Sequence, residues 1–251
     1  MQQMERRALL DGLAAISEDV GAFSRAVLPA RSLRSYQLAF ARAVAGSVVG
    51  GSGETFAAVF SRQSGKDEGL AQLLAFLLSR YRLVGGSIVV ATPALKPQGL
   101  IARDRLLARL DSPLTRDAVR VRDGTTVELG RASVRYLSAA RAANSRGNTA
   151  SLLLVANESQ DIEPDVWDAV CADGGCIQRD DVVPRHCLDE RHAAVPADAD
   201  AADLESSDGR KRLFRVDGGR SPGICLNMEL TFAARSRRWG RIHPSIRTNT
   251  S

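Results

Sequence analysis

The sequence predicts an α/β domain in three layers, with helices on both faces of a mostly parallel central sheet, followed by an irregular C-terminal tail. Three observations predict it. The apolar, β-prone run Phe56 to Phe60 (FAAVF) passes through a short polar turn ending in Gly65-Lys66 straight into a helical apolar stripe. Ser87 to Ala91 (SIVVA) is short and nearly all apolar, as expected of a strand buried on both faces of a parallel sheet. Ser151 to Ala156 (SLLLVA), the most apolar strand candidate, runs directly into Asn157-Glu158-Ser159-Gln160-Asp161.

Size and composition set the bounds. A chain of 251 residues has room for one well-buried α/β domain and an appendage without disulfide support. Apolar residues make up 44% and charged residues 25%, the shares of an ordinary globular protein. No apolar run approaches the roughly 20 residues of a membrane span, and the N-terminus (MQQMERRALLDGLAA) offers no signal-peptide core, so the expectation is a cytoplasmic protein without a membrane partner. The net charge of +5 permits a polyanionic partner. Only three of the 34 basic residues are lysines, namely Lys66, Lys96 and Lys211. In so arginine-rich a chain, a lysine directly after a turn glycine stands out.

Residues 1–32 read as a helical segment, because Leu9, Leu10, Leu13, Ile16, Val20, Phe23 and Val27 recur at helical spacing before Pro29. Residues 33–170 read as the nucleotide-binding domain. It opens with LRSYQLAFARAV (Leu33 to Val44), in which Tyr36-Gln37 is a candidate base-reading pair, since a glutamine amide both donates to and accepts from an adenine edge. Gly50 to Gly53 is a turn before the first strand. After the loop, Leu70, Leu73, Leu74, Phe76, Leu77, Leu78 and Tyr81 form a broad helical stripe ended by Gly85-Gly86. Gln98 to Leu110 is a second helix. The alternation in VRVRDGTTVEL about Asp123-Gly124 is a hairpin, and Ser133 to Leu137 adds a strand. Ser138 to Thr149, with Arg141 and Arg146, is a polar loop.

Strand, Gly-Lys turn and helix form the local architecture of a phosphate-binding loop, in which backbone N–H groups and a helix N-terminus cradle an anion. Cleaving a phosphoanhydride needs charge neutralisation, a divalent metal and an oriented water. Ser61, Arg62, Gln63, Ser64, Gly65, Lys66 and Asp67 are the expected phosphate cradle, Lys66 bridging the β- and γ-phosphates of ATP. Glu158 is the expected activator of the attacking water, and Asp67, Asn157 and Glu158 are the candidates to hold Mg²⁺. Two departures from the usual loop stand out. Phe60 occupies the place of its first glycine, and Asp67 that of the hydroxyl residue after the lysine.

The segments SRQSGKDE (Ser61 to Glu68), GGSIVVATPALKPQ (Gly85 to Gln98) and NTASLLLVANESQDIEPDVWD (Asn148 to Asp168) resemble the ATPase domain of tailed-phage and prophage terminase large subunits, the motors that thread viral DNA into capsids. The resemblance implies a P-loop NTPase fold over about residues 33–170, with ATP and Mg²⁺ as cofactors. It matches Tyr36-Gln37 to the adenine-side motif, Lys66 to the loop lysine and Glu158 to the catalytic glutamate. Arg62 is then the loop arginine that senses the γ-phosphate. Implied partners are double-stranded DNA, a small terminase subunit and a portal, in the cytoplasm of a bacterial host; whether the chain forms a homo-oligomer is left open. The family's first acidic residue at the strand end is aspartate, and here it is Asn157, which keeps an oxygen donor but loses the charge, so weak or absent turnover is expected unless Asp67 or Asp161 compensates.

From Cys171 onward the pattern changes. All four cysteines and all three histidines fall in residues 171–251. The set Cys171, Cys176, His186, Cys187 and His192 has the spacing of no common zinc module. The nuclease domain that follows the ATPase in terminases is not recognisable, although DGRKRLFRVD (Asp208 to Asp217) and RIHPSIRTN (Arg241 to Asn249) resemble pieces from beyond the ATPase core. The expectation is a truncated, impaired terminase motor, whose tail reads either as a reading frame lost after about Val170 and partly regained or as a genuine but poorly patterned segment. The alternatives are a helicase-type DNA-dependent ATPase and an inactive prophage remnant.

Overall fold

Phe56 to Phe60 and Leu153 to Ala156 are apolar without a break because these strand positions are buried on both faces of the sheet. In the computed structural model, which describes residues 16–61, 63–140, 150–162, 166, 209–216 and 226–231, β1 (Phe56–Phe60) and β6 (Leu153–Asn157) are buried at every position. With β2 (Gly86–Thr92), β3 (Val119–Arg122), β4 (Thr126–Leu129), β5 (Ala132–Ser138), β7 (Leu213–Val216) and β8 (Leu226–Thr231) they form one sheet, in the order β3-β4-β5-β2-β6-β8-β1-β7. The β5-β2-β6 block is parallel, as is β1 with β7. β8 lies antiparallel between β6 and β1, and β4 antiparallel between β3 and β5. All the other strands point one way, so the predicted α/β class with a mostly parallel sheet holds.

The helices are α1 (Val20–Val27), α2 (Ser35–Gly50), α3 (Lys66–Tyr81) and α4 (Leu100–Leu110). Asp19 starts α1, its carboxylate accepting from Ala22 N at 2.8 Å and from the Arg42 guanidinium of α2. That guanidinium holds the Asp19 carboxyl below its ordinary range. Gly51, at φ 64°, ends α2 in the left-handed conformation that favours glycine. The Asp123-Gly124 turn between β3 and β4 has both residues at positive φ, and Thr125 N donates to Arg122 O at 3.2 Å. This is the mirror-image turn that the dipeptide favours.

All four helices contribute to one large apolar cluster on one sheet face: Val20 and Phe23 from α1, Phe40 and Val44 from α2, Leu73 to Leu78 from α3, and Leu106 and Leu110 from α4. They pack against Phe56 and Phe60 of β1, Ile88 and Val90 of β2, and Phe214 of β7. A smaller cluster on the opposite face joins Val89, Ala91, Leu137, Leu154, Ala156 and Ile162. Of the expected outer layer on that face the described residues include only Val166, which is helical and packs against this cluster. Two stretches expected to belong to an irregular tail are instead strands, β7 and β8, which flank β1 on its two sides. Strands this short draw their stability from pairing to a formed sheet rather than from local pattern. Among the described residues no helix is long and apolar enough to cross a membrane.

Candidate nucleotide-binding site

Where β1 ends, the chain makes a tight loop before entering α3. Gln63 (φ 61°) and Gly65 (φ 81°) both take left-handed conformations, and Ser64 closes the turn by donating from its N and its Oγ to Ser61 O, at 3.2 and 2.6 Å. Gly65 is required twice over, for its φ and because a Cβ there would lie 2.6 Å from the Gln37 amide nitrogen. Helix α3 then begins at Lys66 with no side-chain cap. Its first N–H groups are therefore left for an anion, the arrangement that gives helix N-termini their affinity for phosphate.

The end of β6 supplies the other half. Lys66 Nζ donates to Glu158 Oε1 at 2.7 Å, with side-chain exposures of 3% and 16%. Glu158 sits at φ 60° and ψ 46°, a left-handed conformation that turns the chain sharply away from the strand. Non-glycine residues held this way cluster at functional sites. Beside it Asn157 is 4% exposed, and its Oδ1 has no hydrogen-bond partner among the described residues. A buried orphan oxygen of this kind calls for a donor or a cation.

A cleft of about 310 Å³ opens over the loop, lined by Ser61, Gln63, Ser64, Gly65 and Lys66. Its remaining wall comes from Arg31, from Asp67 and Glu68 in the first turn of α3, and from Arg105 and Arg109 of α4. Four cationic side chains face two carboxylates, which suits an anionic ligand. Both carboxylates are already paired, Asp67 with Arg105 at 2.8 Å and Glu68 with Arg109 at 2.8 Å. Behind them a fully buried Gln72 accepts from Ser24 Oγ at 2.7 Å and donates to Arg31 O and Glu68 Oε1, tying α1, the α1–α2 linker and α3 together.

The structure thus brings together Ser61, Gln63, Ser64, Gly65, Lys66, Asp67 and Glu158 of the expected site residues. Tyr36 and Gln37 do not line the cleft. They lie behind the loop, where Tyr36 Oη donates to Ser64 O at 2.6 Å and Gln37 Nε2 to Gly65 O at 2.7 Å. The side chain expected to meet the adenine edge is here bonded to the loop instead, because α2 packs on the back of the loop. Asp67, expected to meet the metal, is held by Arg105. Arg62, Arg141, Arg146 and the cysteine and histidine set lie outside the described residues. Sequence reading missed Arg31, Arg105, Arg109, Glu68 and Gln72. The Arg105 and Arg109 pair sits at i and i+4 on one helix face, and that spacing was the available signal.

No family model matches the sequence, and no curated protein matches it. Among solved structures the chain is similar to the crystal structure of the HK97 bacteriophage large terminase, with a TM-score of 0.55 and 17% identity. The fold is shared with a phage terminase large subunit. The match covers 82% of this chain and 45% of that one, so the chain spans less than half the length of its structural neighbour.

Proposed function

We propose that the chain binds a nucleoside triphosphate in the cleft above the Ser61–Lys66 loop and hydrolyses it, as the ATPase part of a terminase-like DNA-packaging motor. The observation that carries this reading is the Lys66–Glu158 contact, which joins two segments 92 residues apart at the ends of two strands of like direction. Phosphoryl transfer asks a protein for little besides such positioned charge. In the proposed complex the loop N–H groups and the α3 N-terminus hold the phosphates, and Lys66 leaves Glu158 for a phosphate oxygen. The released carboxylate then accepts a proton from the attacking water.

The donors present fit a Mg²⁺ ion that arrives with the nucleotide and takes most of its ligands from phosphate and water. Asn157 Oδ1 and Glu158 would hold it, the first because its oxygen is buried without a partner. Asp67 would contribute only after leaving Arg105. Bound there, the ion would neutralise charge on the phosphates. Double-stranded DNA, a small terminase subunit and a portal are the proposed partners, by resemblance. Stimulation by single strands with unwinding would favour a helicase-type ATPase instead.

A second reading, an inactive relative that still binds nucleotide, is favoured by Asn157, whose amide brings no charge to the metal side. ATP binding and hydrolysis by the wild type beside Lys66→Ala separate these readings. An active motor shows Mg²⁺-dependent turnover that Lys66→Ala abolishes. An inactive relative shows only thermal stabilisation, of about 2.7 kcal/mol at 100 times the dissociation constant. No shift with ATP or ADP rejects nucleotide binding.

A further inference from the structure

Gln37 is 4% exposed and fits a notch made by two glycines one helical turn apart. A Cβ on Gly65 would meet its Nε2 at 2.6 Å, and a Cβ on Gly69 would meet its Cβ and Cγ at 3.7 Å. Its amide is engaged at both ends. Nε2 donates to Gly65 O at 2.7 Å and lies 3.5 Å from Ser64 O, while Oε1 accepts from Arg34 N at 2.9 Å and so caps α2. Tyr36 Oη holds Ser64 O from the same side. Reading a base edge requires a donor and an acceptor facing the ligand, and this amide turns both toward the protein.

What the cleft offers beyond the loop is chemically different. Arg31, Arg105 and Arg109 present guanidinium groups, and Asp67 and Glu68 are occupied by two of them. Guanidinium planes stack on any base face and distinguish bases poorly. Resting on the nucleotide reading given above, we infer that Gln37 is a positioning residue that fixes the phosphate loop, and that the site takes nucleoside triphosphates with little regard to the base.

The test is equilibrium binding of ATP, GTP, CTP and UTP, each with Mg²⁺, to the full chain and to Gln37→Glu. The variant keeps the length and the acceptor for Arg34 N but sets a carboxylate oxygen against the Gly65 carbonyl. The wild type should bind all four nucleotides within about threefold of one another, and Gln37→Glu should weaken all four by a common factor of about ten, as expected for a lost buried hydrogen bond. Measurement well below the variant's unfolding midpoint separates this from a merely structural role, which lowers the midpoint and leaves affinity intact. Gln37→Met, similar in volume and without hydrogen-bonding groups, replaces it should the glutamate variant not fold. A tenfold preference of the wild type for ATP overturns the inference, as do unchanged affinities in the variant. If no triphosphate binds the wild type, the nucleotide reading itself falls.

Discussion

The Lys66–Glu158 pair lends itself to a double-mutant cycle. Lys66 is 3% exposed and its ammonium lies 2.7 Å from the Glu158 carboxylate. Replacing Glu158 by Gln leaves that charge buried without its counter-ion, for which the expected loss is about 3–5 kcal/mol. Replacing Lys66 by Met removes only one partner of a carboxylate that, at 16% exposure, water also reaches, so the loss is smaller, about 2 kcal/mol. In Lys66→Met/Glu158→Gln no charge is left unpaired, and the double variant should be more stable than the sum of the singles predicts by about 2–3 kcal/mol. At roughly 2–4 °C per kcal/mol for a chain of this size, Glu158→Gln alone lowers the thermal midpoint by about 6–20 °C. Denaturant unfolding of the four proteins gives the coupling directly. Additivity within about 0.5 kcal/mol would refute the reasoning, since it would mean that the two groups do not compensate each other's burial. Glu158→Gln should also bind ATP at least as tightly as the wild type, because Lys66 no longer has to leave a carboxylate, and should lose turnover.

Two further outcomes follow from particular residues. Asn157→Asp places a carboxylate beside Glu158 at a position 4% exposed; it should destabilise the ligand-free protein by about 1–3 kcal/mol and raise Mg²⁺-dependent hydrolysis, whereas equal, robust activity in both forms would show that the amide does not limit the site. Asp19→Ala should cost about 1 kcal/mol through loss of the α1 cap. The Arg42 guanidinium lowers the folded-state pKa of Asp19 below the ordinary value of 3.8, so the stabilisation is fully present above that value and is lost as pH falls through the lowered one. The difference in denaturation midpoint between wild type and variant should therefore stay constant from about pH 5 to 8 and close only in strong acid.

What the sequence disclosed follows from how local each signal was. The β1-loop-α3 unit was legible because an apolar run, a Gly-Lys turn and a helical stripe are consecutive, and each constrains the next. The β3–β4 hairpin was legible from the alternation about Asp123-Gly124, since few other dipeptides accept two positive φ values in succession. By contrast β7, with only LFRV, carries no pattern of its own and exists through its pairing with β1. The site divides along the same line. Lys66 and Glu158 were each marked by their place at a strand end, whereas the partner of Gln37 Nε2 is a backbone carbonyl some 28 residues away, and nothing in the residue type reveals whether an amide faces a ligand or a loop. Arg31, Arg105 and Arg109 were hidden by abundance, for in a chain with three lysines among 34 basic residues an arginine carries little information.

That same contrast explains why the loop residue is a lysine. β8 separates β1 from β6, and with neighbouring strands about 4.8 Å apart the two strand ends that carry the site lie roughly 10 Å from each other. A group that joins them must extend from the start of α3 and end at 3% exposure. There each N–H without an acceptor is costly. A guanidinium brings five such donors in a fixed plane, while an ammonium brings three on a flexible stem. Glu158 meets one of them at 2.7 Å, and a phosphate with its water would meet the others. An arginine at position 66 would arrive with more donors than this enclosed end of the cleft has acceptors. The arginines stand instead on the wall formed by α4 and the α1–α2 linker, where Asp67 and Glu68 pair with Arg105 and Arg109.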